Sequence, residues 1–261
     1  MAESTLSLSL PDLRSETGRY LGYGTSYDDY DVEQKKSVNR CVSGALRSFY
    51  FSAIGPNGVA YQWSFLRPIG TLTTVADQWE YELPAECGGI EGGITFVTSS
   101  GSYSTVPQVG EFQIRDYRQT QSAQTGRPHC AAVRSKVHSG VKGQRLEIVF
   151  WPTPDAAYEL EYRMVAYPNA ITPESPWPYG GMVHAQTILQ GCLAQAELVL
   201  DGTQGVQTAS YREMLAASIS ADGQLQRPDY LGYNGDRSDL MDRPQNRRTD
   251  GLRVSYNGTY Y

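Results

Sequence analysis

Apolar residues recur with a helical period at Val38, Cys41, Val42, Ala45, Leu46 and Phe49. This spacing of i, i+3, i+4, i+7, i+8 and i+11 places them on one face of an α-helix. Ahead of it, Asp28-Asp29-Tyr30-Asp31 supplies side-chain acceptors and negative charge for the helix N-terminus. A shorter helix is predicted just upstream, behind Ser9-Leu10-Pro11, with proline at an early helical position and a stop near Gly18 or Gly22. Ile54-Gly55-Pro56-Asn57-Gly58 ends the amphipathic helix as a turn cluster.

From residue 59 to residue 167 the period changes. Strands are predicted at 72–83, 93–98, 111–119, 128–137, 144–151 and 157–165. Leu146, Ile148 and Phe150 alternate with Glu147 and Val149, and Tyr158, Leu160 and Tyr162 alternate with Glu159, Glu161 and Arg163. A two-residue period with one polar face is that of an antiparallel sheet over a core. Pro152-Thr153-Pro154-Asp155 is a turn between two of these runs. The succession of short strands suits a sandwich or barrel rather than βαβ units.

Pro173, Pro176 and Pro178 make a stiff connector, after which the helical period returns. Ala185, Ile188, Leu189, Cys192, Ala196 and Val199 form a stripe ending at Asp201-Gly202. A second helix over 206–221 carries Tyr211, Leu215 and Ile219 and stops at Asp222-Gly223. The fold class is therefore α+β. A small helical bundle (N-terminal helices plus a C-terminal helical hairpin) carries an inserted antiparallel β-sandwich or barrel. The expected divisions are 1–55, 56–175, 176–223 and an extended C-terminal arm, 224–261.

The arm has few apolar residues. It mixes Arg227, Arg237, Arg243, Arg247, Arg248 and Arg253 with Asp229, Asp236, Asp239, Asp242 and Asp250. Such a segment cannot bury a core of its own. It is either a free tail or an arm that orders on a partner, and its arginines and tyrosines favour the second, because those types are enriched at interfaces. Tyr230-Leu231-Gly232-Tyr233 echoes Tyr20-Leu21-Gly22-Tyr23 but is too short to mark a repeat.

Composition narrows the function classes. The chain has 261 residues, 40% of them hydrophobic and 19% charged, which excludes wholesale disorder and a coiled coil. No apolar run approaches the roughly 18 residues of a membrane helix, and MAESTLSLSLPDL lacks the basic and apolar segments of a secretory signal. Twenty-two Lys and Arg against 28 Asp and Glu leave a net charge of -6, which argues against holding nucleic acid by phosphate neutralisation. Cys41, Cys87, Cys130 and Cys192 are widely spaced and read as free thiols in a reducing compartment.

The search for chemistry returns little. No GxSxG, phosphate-loop or GxGxxG pattern is present, and Gly88-Gly89 and Gly92-Gly93 read as a loop. His129, His138 and His184 have no ligand spacing, and His184 reads as a packing or surface residue. Glu159 and Glu161 are explained by a solvated face shared with Arg163, and Asp28, Asp29 and Asp31 by helix capping rather than calcium. Trp63, Trp79, Trp151 and Trp177 would suit either a sugar platform or a core. The expectation is no enzyme, no cofactor and no metal.

Three strings then carry a resemblance. They are Gly44-Ala45-Leu46-Arg47-Ser48-Phe49-Tyr50, Ile148-Val149-Phe150-Trp151-Pro152-Thr153-Pro154-Asp155 and His184 followed by Ala194-Gln195-Ala196-Glu197. In these strings and in its order of elements, the chain resembles head–tail adaptor (connector) proteins of tailed double-stranded DNA bacteriophages over about residues 10–222. The resemblance implies a virion protein, made in the host cytoplasm and placed at the head–tail junction. It implies a dodecameric ring under the portal protein that meets tail or nozzle proteins. Double-stranded DNA would pass through its channel without sequence-specific binding, and no membrane is involved. By the same analogy the arm latches onto the portal through Arg227, Tyr230, Tyr233, Arg237, Arg247 and Arg248. The rival readings are a tail-terminator or tail-tube ring protein and a carbohydrate-binding β-sandwich module.

Overall fold

In the computed structural model, residues 4–52, 60–97, 103–121, 124–138 and 140–225 are described, with the backbone of 255–256 and 259–260. The first helix, α1 (Leu10–Tyr20), starts where Ser9 donates from its backbone N–H (2.9 Å) and hydroxyl (2.6 Å) to the Asp12 carboxylate. The second, α2 (Val32–Tyr50), is capped by Asp31, which accepts from the Gln34 N–H at 2.8 Å while the Gln34 side chain accepts from the Asp31 N–H at 3.0 Å. That reciprocal box satisfies two donors that a helix start leaves free. All six residues of the predicted stripe, Val38 to Phe49, are buried.

The predicted hairpin is α4 (Gly181–Asp201) and α5 (Val206–Leu225), with Gly202 in the left-handed region at φ +68 after α4. Between the two helical regions lies α3 (Glu111–Thr120). Leu13 of α1, Val42 and Phe49 of α2, Ile188 and Cys192 of α4 and Leu215 of α5 share one buried cluster. Gly191 permits the approach of α4 to its neighbours, since a Cβ there would sit 3.0 Å from the Tyr211 ring. Gly18 likewise leaves room for Tyr30, whose hydroxyl donates to the Gly24 carbonyl at 2.6 Å.

Two three-stranded antiparallel sheets lie between α2 and α4 in the chain. One has the order β1 (Ile69–Thr73), β6 (Glu159–Ala166), β3 (Cys87–Phe96). The other has the order β2 (Glu80–Glu82), β5 (Leu146–Trp151), β4 (Cys130–Ser135). In the first, Leu72 pairs with Leu160 and Gly70 with Tyr162; in the second, Tyr81 and Val133 flank Ile148. Leu160, Tyr162 and Met164 of β6 join Tyr81, Ile148 and Phe150 of the other sheet in one buried cluster, so both sheets turn a face to the same core. The chain is α+β, as its periods predict.

Five details differ from the pattern reading. Residues 111–119, predicted as a strand, form helix α3. Phe112 is 71% exposed, while Ile114 is 1% exposed and packs with Cys130, Ala132 and Val149. A ten-residue window with a single buried anchor does not define a period. Because α3 covers that side of the sheet, Glu147 and Val149 are buried and β5 has no solvated face. The Gly88-Gly89 and Gly92-Gly93 segment is strand rather than loop; β3 runs through it with register shifts around its glycines. Residues 72–83 divide into β1 and β2 at a turn where Asp77 has φ +65. Asp222-Gly223 does not stop α5, which continues to Leu225.

Residues 1–223 cluster as one unit and 224–261 as another, within which β7 (Ser255–Tyr256) pairs antiparallel with β8 (Thr259–Tyr260).

Candidate interaction surfaces

The predicted arm contacts Arg227, Tyr230, Tyr233, Arg237, Arg247 and Arg248 lie outside the described residues. Within the described chain, the polar side chains that reading overlooked are buried anchors. Glu197, near the end of α4, accepts from the N–H groups of Gly205 (3.0 Å), Gln207 (2.9 Å) and Thr208 (2.9 Å) and from the Thr208 hydroxyl (2.8 Å). These are the free donors at the start of α5, so one carboxylate caps the next helix and ties the end of α4 to it. The sequence signal was an acidic residue one turn before a Gly-rich break, which is common enough to escape notice.

Burial alone would push the Glu197 carboxyl up, but its four hydrogen bonds outweigh that and bring it down to about 2 from an ordinary 4.5. A depressed carboxylate stabilises the fold above its unfolded value and loses that contribution as pH falls through the folded one. We therefore expect Glu197→Gln to melt below the wild type at pH 7. The gap should narrow between pH 4.5 and about 2, read by thermal melts across pH.

Asp222 is the second anchor. It accepts from the Tyr61 hydroxyl at 2.9 Å and from the Ser64 N–H at 3.1 Å, joining α5 to the segment that leads into β1. Tyr61 is pushed up to about 12 by burial and by this carboxylate. His184, on α4, packs against Phe49, Trp63 and Phe65 with ring centroids 5.7, 5.1 and 5.5 Å away. Burial holds its pKa below the ordinary value and favours the neutral ring, so it is a packing residue, as one of its two sequence readings had it. Cys41, Cys87, Cys130 and Cys192 are free and buried, and burial pushes Cys192 up to about 12, far from a reactive thiolate. Among the described residues no group of three or more His, Cys, Asp or Glu is placed to hold a metal, and no helix is long and apolar enough to cross a membrane.

The four tryptophans do not form a platform for sugars. Trp63 is 0% exposed and donates from Nε1 to the Phe49 carbonyl at 3.0 Å. Trp79 is half-buried beneath the Arg118 guanidinium, 3.7 Å from the ring centroid. Trp151 packs against Tyr117 of α3 in a tilted pair with ring centroids 4.7 Å apart. Trp177 alone among them is exposed, at 42%. Glu159 and Arg163 are exposed on one face of β6 and Glu161 is half-buried there, in keeping with a solvated stripe. Asp31 spends its carboxylate on the α2 cap.

Exposed apolar side chains gather instead at the two ends of α4. Trp177, Tyr179, Met182 and Val183 stand at its N-terminal end, where the Ser4 hydroxyl donates to the Met182 sulfur at 3.4 Å. The Tyr179 N–H donates to the Tyr50 hydroxyl at 2.9 Å and holds this segment against α2. At the other end Val199, Leu200 and Val206 are exposed around the hairpin turn. Such apolar groups on rigid helix ends suit contact with other chains rather than reaction chemistry.

Comparison with known proteins agrees with that character. The family model described as SU10 adaptor protein matches residues 9–246. No curated protein matches the chain.

Proposed function

This chain belongs to the SU10 adaptor protein family, a family of phage head–tail adaptors, so it is a structural component of a virion; from that premise we propose that it forms the adaptor ring itself. In this reading copies of the chain assemble as a dodecamer beneath the portal protein. The ring continues the DNA channel and offers tail or nozzle proteins their docking surface. The helical segments 1–55 and 176–223 form a bundle, and 56–175 is a β-sandwich inserted into it. The arm 224–261 reaches the portal through Arg227, Tyr230, Tyr233, Arg237, Arg247 and Arg248.

The carrying observation is the span of the family match, residues 9–246, which takes in both helical regions, both sheets and most of the arm. The physics supports the reading. A cyclic ring needs two different faces on each subunit, and the two ends of α4 present separate apolar groups. A net charge of -6 lets DNA pass without adhering.

The test is quantitative mass spectrometry of DNA-filled particles. We expect the chain in particles at the same copy number as the portal protein. Its absence from particles ends the adaptor-ring reading, and a copy number far above the portal's points to a tail-tube protein.

A further inference from the structure

One cavity has a polar make-up that neither the helix ends nor the arm explains. It lies between α3 and the edge of the β2-β5-β4 sheet and measures about 220 Å³. Trp79, Ile114 and Val149 give it apolar walls, and Arg115, Arg118 and Arg134 line it with guanidinium groups beside one carboxylate, Glu111. The frame is rigid. The Trp79 carbonyl accepts from the Phe150 N–H at 2.9 Å, and Ile114 fastens α3 to the sheet.

The three arginines are not equivalent. Arg134 is neutralised by Glu147 at 2.7 Å, Glu80 at 3.2 Å and Glu111 at 3.7 Å. Arg115 pairs with Glu111 at 3.4 Å. Arg118 lies over the Trp79 ring, 3.7 Å from its centroid, and donates to the Thr153 hydroxyl at 3.3 Å. No carboxylate of the described residues lies within ion-pair distance of it. Burial works against its charge, and the nearby Arg134 adds to that penalty, while Glu80 opposes it. A guanidinium held over an indole loses freedom before a partner arrives, which lowers the entropy cost of forming a two-pronged contact with a carboxylate.

We propose that this cavity receives one carboxylate side chain from an acidic segment of a partner protein, with Arg118 as the two-pronged donor and Trp79 as the wall beneath it. The surrounding charge selects for a single carboxylate. Glu80, Glu111 and Glu147 pair with Arg134, and Glu111 also lines the cavity, so a polyanion such as DNA meets carboxylates beside the Arg118 guanidinium. The size of the cavity agrees, since about 220 Å³ has room for one carboxylate side chain. The inference rests on this geometry alone and holds for a partner of any origin.

The test uses the full chain labelled with nitrogen-15. The Trp79 indole N–H signal is identified with Trp79→Phe. A capped tetrapeptide with one glutamate among alanines is titrated in, with its glutamine counterpart and inorganic phosphate as controls. We expect a saturable shift of the Trp79 signal with the acidic peptide alone. Arg118→Lys should weaken it by about tenfold or more, since an ammonium cannot make the two-pronged contact. Arg118→Gln should abolish it, with the other three indole signals in place as the check on folding. No shift with the acidic peptide, or a shift that survives Arg118→Gln, overturns the proposal. An equal or tighter response to phosphate overturns its selectivity for carboxylate.

Discussion

A chain ending at residue 223 is expected to fold as the full chain does and to fail to attach to the portal. Residues 1–223 form one unit by themselves, and the cut keeps Asp222 and its bonds to Tyr61 and Ser64. Nearly all of α5 remains; Gln224 and Leu225 are its last two residues, and Leu225 is exposed. Circular dichroism and thermal melting should therefore match the full-length chain, while co-sedimentation with portal rings should be lost. Within the arm, truncating an arginine that becomes buried against a carboxylate costs about 2 kcal/mol or more. Single alanine variants at Arg227, Arg237, Arg247 and Arg248 should then rank the contacts. Attachment retained by the shortened chain would remove the arm from the account and leave the exposed ends of α4 as the docking elements.

Trp63→Ala is expected to be the most destabilising single substitution in the helical core. Trp63 is 0% exposed and its ring lies 4.6 Å from Phe49, 5.0 Å from Tyr61 and 5.3 Å from Phe65. Its loss opens a cavity bordered by aromatic side chains and leaves the Phe49 carbonyl without the indole donor. Aromatic truncations of this kind cost about 3–5 kcal/mol, against a typical total stability of about 5–15 kcal/mol. Guanidinium unfolding monitored by circular dichroism should show the drop directly. Trp177→Ala is the control. At 42% exposure it should change stability by no more than about 0.5 kcal/mol, and any effect should appear in assembly. A Trp63 variant of unchanged stability that lost affinity for a glycan would revive the carbohydrate-binding reading.

The helices were legible because each strong stripe carries its own confirmation. Val38 to Phe49 is preceded by an Asp cap, and the α4 stripe is followed by Gly202. Strands β5 and β6 were legible from alternation, and the pairing of Leu160 with Leu72 shows that alternation at work. Helix α3 was not legible. Its sequence, Glu111 to Thr120, is mostly polar, and what holds it is Ile114 seated on the β4 and β5 side chains, a contact between segments far apart in the chain. Strand β3 was hidden for the opposite reason, since glycines have no side chain to show a period, and the bonds that define the strand come from β6.

The functional residues divide along the same line. The arm is marked by composition, because dense Arg and Asp with few apolar groups stands out in any chain. Glu197 and Asp222 were unmarked, since a carboxylate that caps a helix in space looks like any surface acid in sequence. Arg118 and Trp79 stand 39 positions apart, and only the docking of α3 on the sheet brings them together. By itself, then, the sequence determined the α+β class, the four long helical and strand periods, the free cysteines and the distinct arm, all of which depend on local spacing or composition. The tertiary structure alone decided that α3 is a helix, that β5 is buried on both faces, that two carboxylates are structural anchors and that Arg118 lies over Trp79 with no carboxylate of the described residues within ion-pair distance. Those outcomes depend on which distant segments pack together, and no local period records that.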